Sequence, residues 1–144
     1  MLIRDVLKEK GSGCDTLHPK NHVKTAVELL ADRGIGAVVV TETHGKVVGI
    51  FSERDLVRLL ARDGASALDR ELRDAMTRPV ITGSPEDRIE AAMAVMSQKH
   101  IRHLPIMHGQ KLAGIVSIRD LVRRRLSEKE LEAAVLLDMS RLHQ

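Results

Sequence analysis

The 144-residue chain contains no tryptophan, no tyrosine and a single phenylalanine, Phe51. A planar ligand therefore cannot be stacked between aromatic rings, the device of many single-strand nucleic-acid binders. Any base held here has to be sandwiched by aliphatic side chains. There is one cysteine, Cys14, so no intramolecular disulfide is available. No run approaches the roughly 18–20 apolar residues of a membrane span. Residues 1–5 also lack the basic-then-apolar layout of a secretory signal. These absences point to a cytoplasmic protein with no membrane partner. Neither sign of charge dominates: 23 Lys and Arg face 20 Asp and Glu, for a formal charge of +3. A duplex-binding surface gathers its cations on one face, whereas acidic residues are interspersed here almost everywhere. The exception, Arg123, Arg124 and Arg125, falls near the end of an expected helix, where cations suit the helix dipole. The balance reads as solubility with a preference for anionic ligands, and no nucleic-acid partner is expected.

With 43% apolar and 30% charged residues, the composition is that of a globular protein. The length allows one compact domain or two small ones sharing a core. The chain repeats itself. Thr16-x-x-Pro19 matches Thr82-x-x-Pro85, Val23 matches Ile89, Ala26 matches Ala92 and Ile35 matches Ile101, all at an offset of 66. GIFSERDLVR (49–58) then matches GIVSIRDLVR (114–123) at an offset of 65, and IRD (3–5) matches LRD (72–74). Each copy has the same pattern. Helical spacing covers 21–33 and 89–99. A short apolar strand follows at 37–40 and 103–107, then turn residues at 44–46 and 108–110, and a second strand at 47–51 and 112–116, a hairpin signature. A helix starts at Ser52 or Ser117. A short leading strand is expected at 14–16 and 80–82. The fold class is α+β, two β-α-β-β-α units (1–67 and 68–126) packed sheet against sheet over a shared core. A helical extension covers 127–144.

Ser52-x-x-Asp55 and Ser117-x-x-Asp120 stand where a strand hands over to a helix. One reading is a capping box, in which both side chains satisfy backbone N–H groups at the helix start. The other is ligand recognition. An ionised carboxylate offers several acceptor sites and can take both hydroxyls of a ribose. The adjacent helix N-terminus favours a phosphate, and Arg54 or Arg119 supplies a charge-assisted donor.

A Gly-apolar-apolar-Ser-x-x-Asp motif after a hairpin, present twice in a tandem repeat of this length, resembles the CBS-domain family, named for cystathionine β-synthase. Residues 99–120, KHIRHLPI through SIRD, and PVIT (79–82) carry the likeness most closely. It extends over about residues 2–126. The resemblance implies a Bateman module: two units related by a pseudo-twofold axis, with grooves that bind AMP, ADP, ATP, NAD(H) or S-adenosyl compounds. It makes Asp120 and Asp55 the expected ribose ligands and places Ser117, Arg119, Ser52 and Arg54 near phosphates. Ile81, Thr82, Arg102, His103, Leu104 and Pro105 are expected to line the second groove. Their counterparts in the first copy are Asp15, Thr16, Gly36, Ala37 and Val38. That copy departs from the pattern: residues 10–14 lengthen its approach, and Gly36-Ala37 replaces Arg102-His103. The second groove, with Arg102, His103 and Arg119 beside Asp120, is expected to hold an anionic nucleotide more tightly.

Other motifs carry less. His100 and His103 flank a helix-to-strand junction, and His18 and His22 are separated by Pro19, so no metal site is expected. Cys14 near His18 lacks a third orienting group. Residues 11–13 share only their composition with a phosphate loop and read as a turn. Ser127-x-x-Glu130 repeats the capping-box spacing ahead of Leu131, Ala134, Val135, Leu136, Met139 and Leu142. This is either a separate amphipathic helix or a continuation of the previous one, and its apolar stripe is covered either within the monomer or by another subunit. No positioned base or nucleophile is visible beyond the two carboxylates. The chain is therefore expected to be a regulatory binding module, not an enzyme, acting in trans on an unidentified partner. The resemblance implies a homodimer, one pair leaves apolar helix faces to cover, and closed twofold symmetry is also the commonest assembly.

Overall fold

The computed structural model describes residues 1–11 and 13–142. Ser12, within the expected turn at 11–13, and the last two residues of the 127–144 extension lie outside the described residues. In chain order the elements are α1 (Ile3–Lys10), β1 (Thr16–Leu17), α2 (Val23–Arg33), β2 (Ala37–Thr41), β3 (Val47–Ser52) and α3 (Glu53–Asp63). Then come α4 (Leu72–Ala75), α5 (Ile89–Lys99), β4 (His103–His108), β5 (Lys111–Ser117) and α6 (Ile118–Leu142). Short 3-10 segments fill Thr43–Gly45 and Gly64–Asp69. β2 pairs antiparallel with β3, and β4 with β5, while β1 adds to β2 in parallel. The repeat is thus a structural one.

The repeat extends to helix ends. α2 closes on Gly34 in the left-handed conformation (φ 62°), and α5 closes on His100 in the same conformation (φ 55°). Glycine adopts this backbone at little cost, whereas a side chain is strained in it.

The leading strand forms in the first unit only. Thr16 and Leu17 pair with Val39 and Val40. In the second unit residues 80–82 form no strand, and a single parallel bridge joins Gly83 to Ile106. Gly83 donates to the Pro105 carbonyl and accepts from the Met107 N–H. The N–H that would carry this ladder back toward Ile81 belongs to position 105, and proline has none. Val39 occupies that position in the first copy.

The expected shared core is replaced by two cores joined by an exchange. α1 is the leader of the first copy, yet Ile3 and Val6 are buried with Ile89, Met96, Leu104, Ile106, Val116 and Leu121 of the second. Conversely, Leu72, which leads the second copy, lies with Val23, Leu30, Val38, Val40 and Phe51 of the first, and Leu68, Ala75 and Met76 pack against the same core. Matching backbone bonds fasten each leader: Ile3 N–H to Asp87 O and Arg4 N–H to Pro85 O on one side, Leu72 N–H to Asn21 O and Arg73 N–H to Pro19 O on the other. A 60-residue unit buries too little surface to be more than marginal alone, and the exchange makes each unit depend on the other.

α6 continues without a break to Leu142. Ser127 does not start a new helix, because its hydroxyl bonds back to the Arg123 carbonyl one turn earlier (3.1 Å). The continuation leaves Leu126, Leu131, Val135, Leu136, Leu137, Met139 and Leu142 exposed.

Candidate functional site

The two motif carboxylates stand at the third helical positions of α3 and α6. Ser52 caps α3. Its backbone N–H reaches Asp55 Oδ2 (2.9 Å), and the Asp55 N–H returns to Ser52 Oγ (3.3 Å). α6 begins alike, with the Ser117 N–H on Asp120 Oδ2 (2.8 Å) and the Asp120 N–H on Ser117 Oγ (3.1 Å). The capping box is therefore present in both copies. In both, the backbone bond uses Oδ2 alone, and a carboxylate has a second oxygen to offer.

Each carboxylate also receives a donor from an exchanged leader. The Thr77 hydroxyl, just past α4, lies 3.0 Å from Asp55 Oδ1. The Lys10 ammonium, at the end of α1, lies 2.8 Å from Asp120 Oδ2 and donates again to the Ile115 carbonyl at 2.9 Å. Partial burial works against ionisation of Asp120. The Lys10 hydrogen bond, the Ser117 N–H and the Lys10 charge outweigh it and hold the carboxyl below the usual range. Among the described residues no hydrogen bond reaches Asp120 Oδ1.

The two units meet where the copies differ. A Cβ placed on Gly36 would lie 2.9 Å from His103 Nε2, so the imidazole packs where only a glycine leaves room. Glu53 N–H donates to the Gly36 carbonyl (3.0 Å), and Ile118 N–H donates to Arg102 O (2.8 Å), an equivalent pair. Burial is the main influence on His103 and pushes its imidazole down. Glu53 and Asp120 pull it up, while Lys10 and Arg102 push it down. Arg54 crosses to the other unit and donates to the His100 carbonyl (2.9 Å) instead of reaching Asp55. Among the described residues Arg102 and Arg119 form no side-chain hydrogen bond or ion pair.

The remaining expected residues divide by exposure. Thr16, Asp15, Thr82, Arg102, Arg119 and Arg54 are exposed, and Ile81, Gly36, Ser52 and Ser117 are half-buried. Ala37, Val38, Leu104 and Pro105 are buried, with Val38 and Leu104 in the two cores, so backbone is what those positions can offer. Lys10 and Thr77 were not among the expected site residues. Nothing local marks them, since each reaches its carboxylate only through the exchange of leaders. Two cavities adjoin the carboxylates. One of about 240 Å³ is lined by Val6, Glu9, Lys10, Asp120, Arg123, Arg124 and Ser127. The other, about 280 Å³, is lined by Asp55, Arg58, Leu59, Arg62, Asp74 and Ala75. Among the described residues no three His, Cys, Asp or Glu side chains converge as a metal site, and no helix is long and apolar enough to cross a membrane.

The CBS-domain family model matches residues 3–62 and again 72–127, taking in both leaders and both motifs. The chain belongs to the CBS-domain family. A CBS-domain-containing protein from Agrobacterium tumefaciens has the same fold, with a TM-score of 0.83 at 38% identity over 86% of this chain and 92% of that one. A solved CBS domain pair in complex with 5′-methylthioadenosine and S-adenosyl-L-methionine aligns with a TM-score of 0.79 at 25% identity, covering 89% of this chain and 98% of that one. Among curated relatives, the mitochondrial CBS domain-containing protein CBSX3 of Arabidopsis thaliana is 33% identical over 90% of this chain and 67% of its own length. CBS domain-containing protein YhcV of Bacillus subtilis is 30% identical over 83% and 84%. Coverage of relatives varies: the chain spans 34% of the length of an uncharacterized Thermofilum pendens protein to which it is 38% identical.

Proposed function

We propose that this CBS pair is a regulatory module that binds an adenine nucleotide of the AMP type beside Asp120 and Asp55 and acts in trans on a partner protein. The observation that carries this reading is the paired carboxylate at a helix start. Each spends Oδ2 on the cap, and Asp120 keeps Oδ1 for a ribose hydroxyl. Lys10 beside Asp120, with Arg102 and Arg119 exposed in the same unit, suits the anionic part of such a ligand. The curated relatives CBSX3 and YhcV are named as CBS domain-containing proteins rather than as enzymes, which favours binding over catalysis. The other reading is an S-adenosyl or NAD(H) sensor. It is favoured by the solved pair that holds 5′-methylthioadenosine and S-adenosyl-L-methionine.

The test is a competition titration of AMP, 2′-deoxy-AMP and GMP against the wild type and Asp120→Ala. A hydrogen bond to a charged group contributes roughly 1.5–3 kcal/mol, so loss of the 2′-hydroxyl should weaken binding about tenfold to a hundredfold. Equal wild-type affinity for AMP and its deoxy analogue would sink the ribose role. The same titration in Asp55→Ala should cost less AMP affinity than in Asp120→Ala.

The module forms a homodimer and works in the cytoplasm in this reading. Val57 and Val122 occupy equivalent places in α3 and α6 and are 65% and 39% exposed, so both copies offer an apolar helix face for a twofold contact. A monomer mass by light scattering across micromolar concentrations would count against the dimer.

A further inference from the structure

The donors laid on the two carboxylates differ in charge. They leave equivalent anchors: Met76 packs on Gly49 and Leu7 on Gly114. One residue beyond Met76 the first site receives the neutral Thr77 hydroxyl. Three residues beyond Leu7 the second receives the Lys10 ammonium. An ammonium has three N–H donors. Asp120 and the Ile115 carbonyl take one each, leaving one for an incoming group.

The surrounding charges reinforce the difference. The cavity beside Asp120 sets three cations, Lys10, Arg123 and Arg124, against Glu9 and Asp120. Arg124 is engaged by Glu9, whereas Arg123 forms no ion pair among the described residues. The cavity beside Asp55 is balanced, Arg58 and Arg62 against Asp55 and Asp74. At about 240 Å³ the cationic cavity is below the roughly 300–1,000 Å³ of whole small-molecule sites, so it fits the charged portion of a nucleotide, not all of it.

We propose that Lys10 is the selectivity residue of the second site. Its ammonium, held over Asp120, makes that site prefer a phosphate-bearing adenosine over a neutral nucleoside or a sulfonium-bearing adenosyl compound. The first site, with the neutral Thr77 in the equivalent place and its cavity charges balanced, has no such preference for phosphate. This rests on the reading of Asp120 as a ribose ligand. A bare carboxylate repels an approaching phosphate and attracts a sulfonium; an ammonium in contact with it cancels that bias, and Arg123 in the same cavity then tips the balance toward phosphate.

The test is calorimetry of AMP, adenosine, 5′-methylthioadenosine and S-adenosylmethionine on the full chain. It uses an Asp55→Asn background, so that the second site is read alone, and compares Lys10, Lys10→Gln and Lys10→Arg. With Lys10 present AMP should bind about tenfold more tightly than adenosine, the low end of a charge-assisted contact at a half-exposed site. Lys10→Gln should bring that ratio toward one and improve S-adenosylmethionine, and Lys10→Arg should keep the AMP preference. An unchanged ratio in Lys10→Gln overturns the proposal. So does an equal tightening of AMP and adenosine, which would make Lys10 a plug that ligands displace. If the wild type binds none of the four compounds, the adenine-nucleotide reading falls and this inference falls with it. Binding without a Lys10 effect removes this inference only.

Discussion

Replacing Ile3 with alanine should weaken the unit to which Ile3 does not belong in sequence. Ile3 has no exposed surface and packs with Ile89, Leu104, Ile106, Val116 and Leu121. Truncating a buried isoleucine to alanine costs about 2–5 kcal/mol, through lost transfer free energy and the cavity left behind. Against a total stability of about 5–15 kcal/mol that is a large fraction. At this chain length it lowers Tm by on the order of 6–15 °C. Leu72 is the mirror case, fully buried with Val23, Val38 and Phe51 of the first unit. Native-state hydrogen exchange separates the two, because amide protection reports local opening element by element. Ile3→Ala should lower protection in α5, β4 and β5 more than in α2, β2 and β3, and Leu72→Ala should do the reverse. If Ile3→Ala instead loosens its sequence neighbours first, the exchange of leaders is wrong. Equal loss in both halves would mean that the two cores open as one cooperative unit.

Asp120→Ala removes a helix cap and should cost about 0.5–2 kcal/mol while leaving the chain folded. Asp120→Asn keeps an acceptor for the Ser117 N–H and should cost less, as melting at pH 7 would reveal. Because the folded Asp120 is held below its usual range, its charge stabilises the fold above the unfolded value of about 3.9. That contribution is lost as pH falls through the lower folded value, so the gap between wild type and Asp120→Asn should narrow progressively once pH drops below the unfolded value; a constant gap would contradict it. His100→Gly relieves a left-handed non-glycine residue (φ 55°) and should raise Tm by roughly 2–4 °C, from about 1 kcal/mol of relieved strain. An unchanged or lower Tm would contradict this. His103, faced by Glu53, Lys10, Asp120 and Arg102, has its imidazole pushed down by burial. Its contribution is therefore present above the unfolded value of about 6.5 and declines as pH falls from there toward the folded value. His103→Gln should flatten the loss of Tm between pH 7 and 5, and an equally steep loss in the variant would go against the assignment.

Much of the fold is legible in the sequence because the repeat gives each element two independent readings. Helical spacing at 21–33 and 89–99, and the hairpins that follow, mark α2, α5 and both strand pairs to within a residue or two. The capping residues Ser52 and Ser117 mark where α3 and α6 begin. What fails is non-local. The leading strand at 80–82 is lost because position 105, on a different strand, is a proline. The segments 3–10 and 72–75 could be matched to each other, but nothing in their spacing says that each crosses to the other unit. Lys10 and Thr77 were invisible for the same reason. At the site, capping and ligand recognition looked like competing explanations of one motif, because the sequence does not say which carboxylate oxygen does what. With the cap confined to Oδ2, the two roles are compatible.

Under the proposed nucleotide reading, the exchange also links the two carboxylates. A ligand shifts a conformational balance only by contacts that differ between the states. Lys10 is placed to be such a contact. It touches Asp120 in the second unit, yet it ends a helix whose next element, β1, is an edge strand of the first sheet. Thr77 stands in the opposite relation: it touches Asp55, and its backbone exchanges hydrogen bonds with Ile50 (3.1 and 2.8 Å) before the chain returns to the second unit. A ligand that takes the spare N–H of Lys10 therefore acts on a segment anchored in both units at once. One that binds beside Asp55 acts on the other such segment. Two contiguous units joined by a simple linker would offer no such route, because each carboxylate would then be held entirely by its own copy.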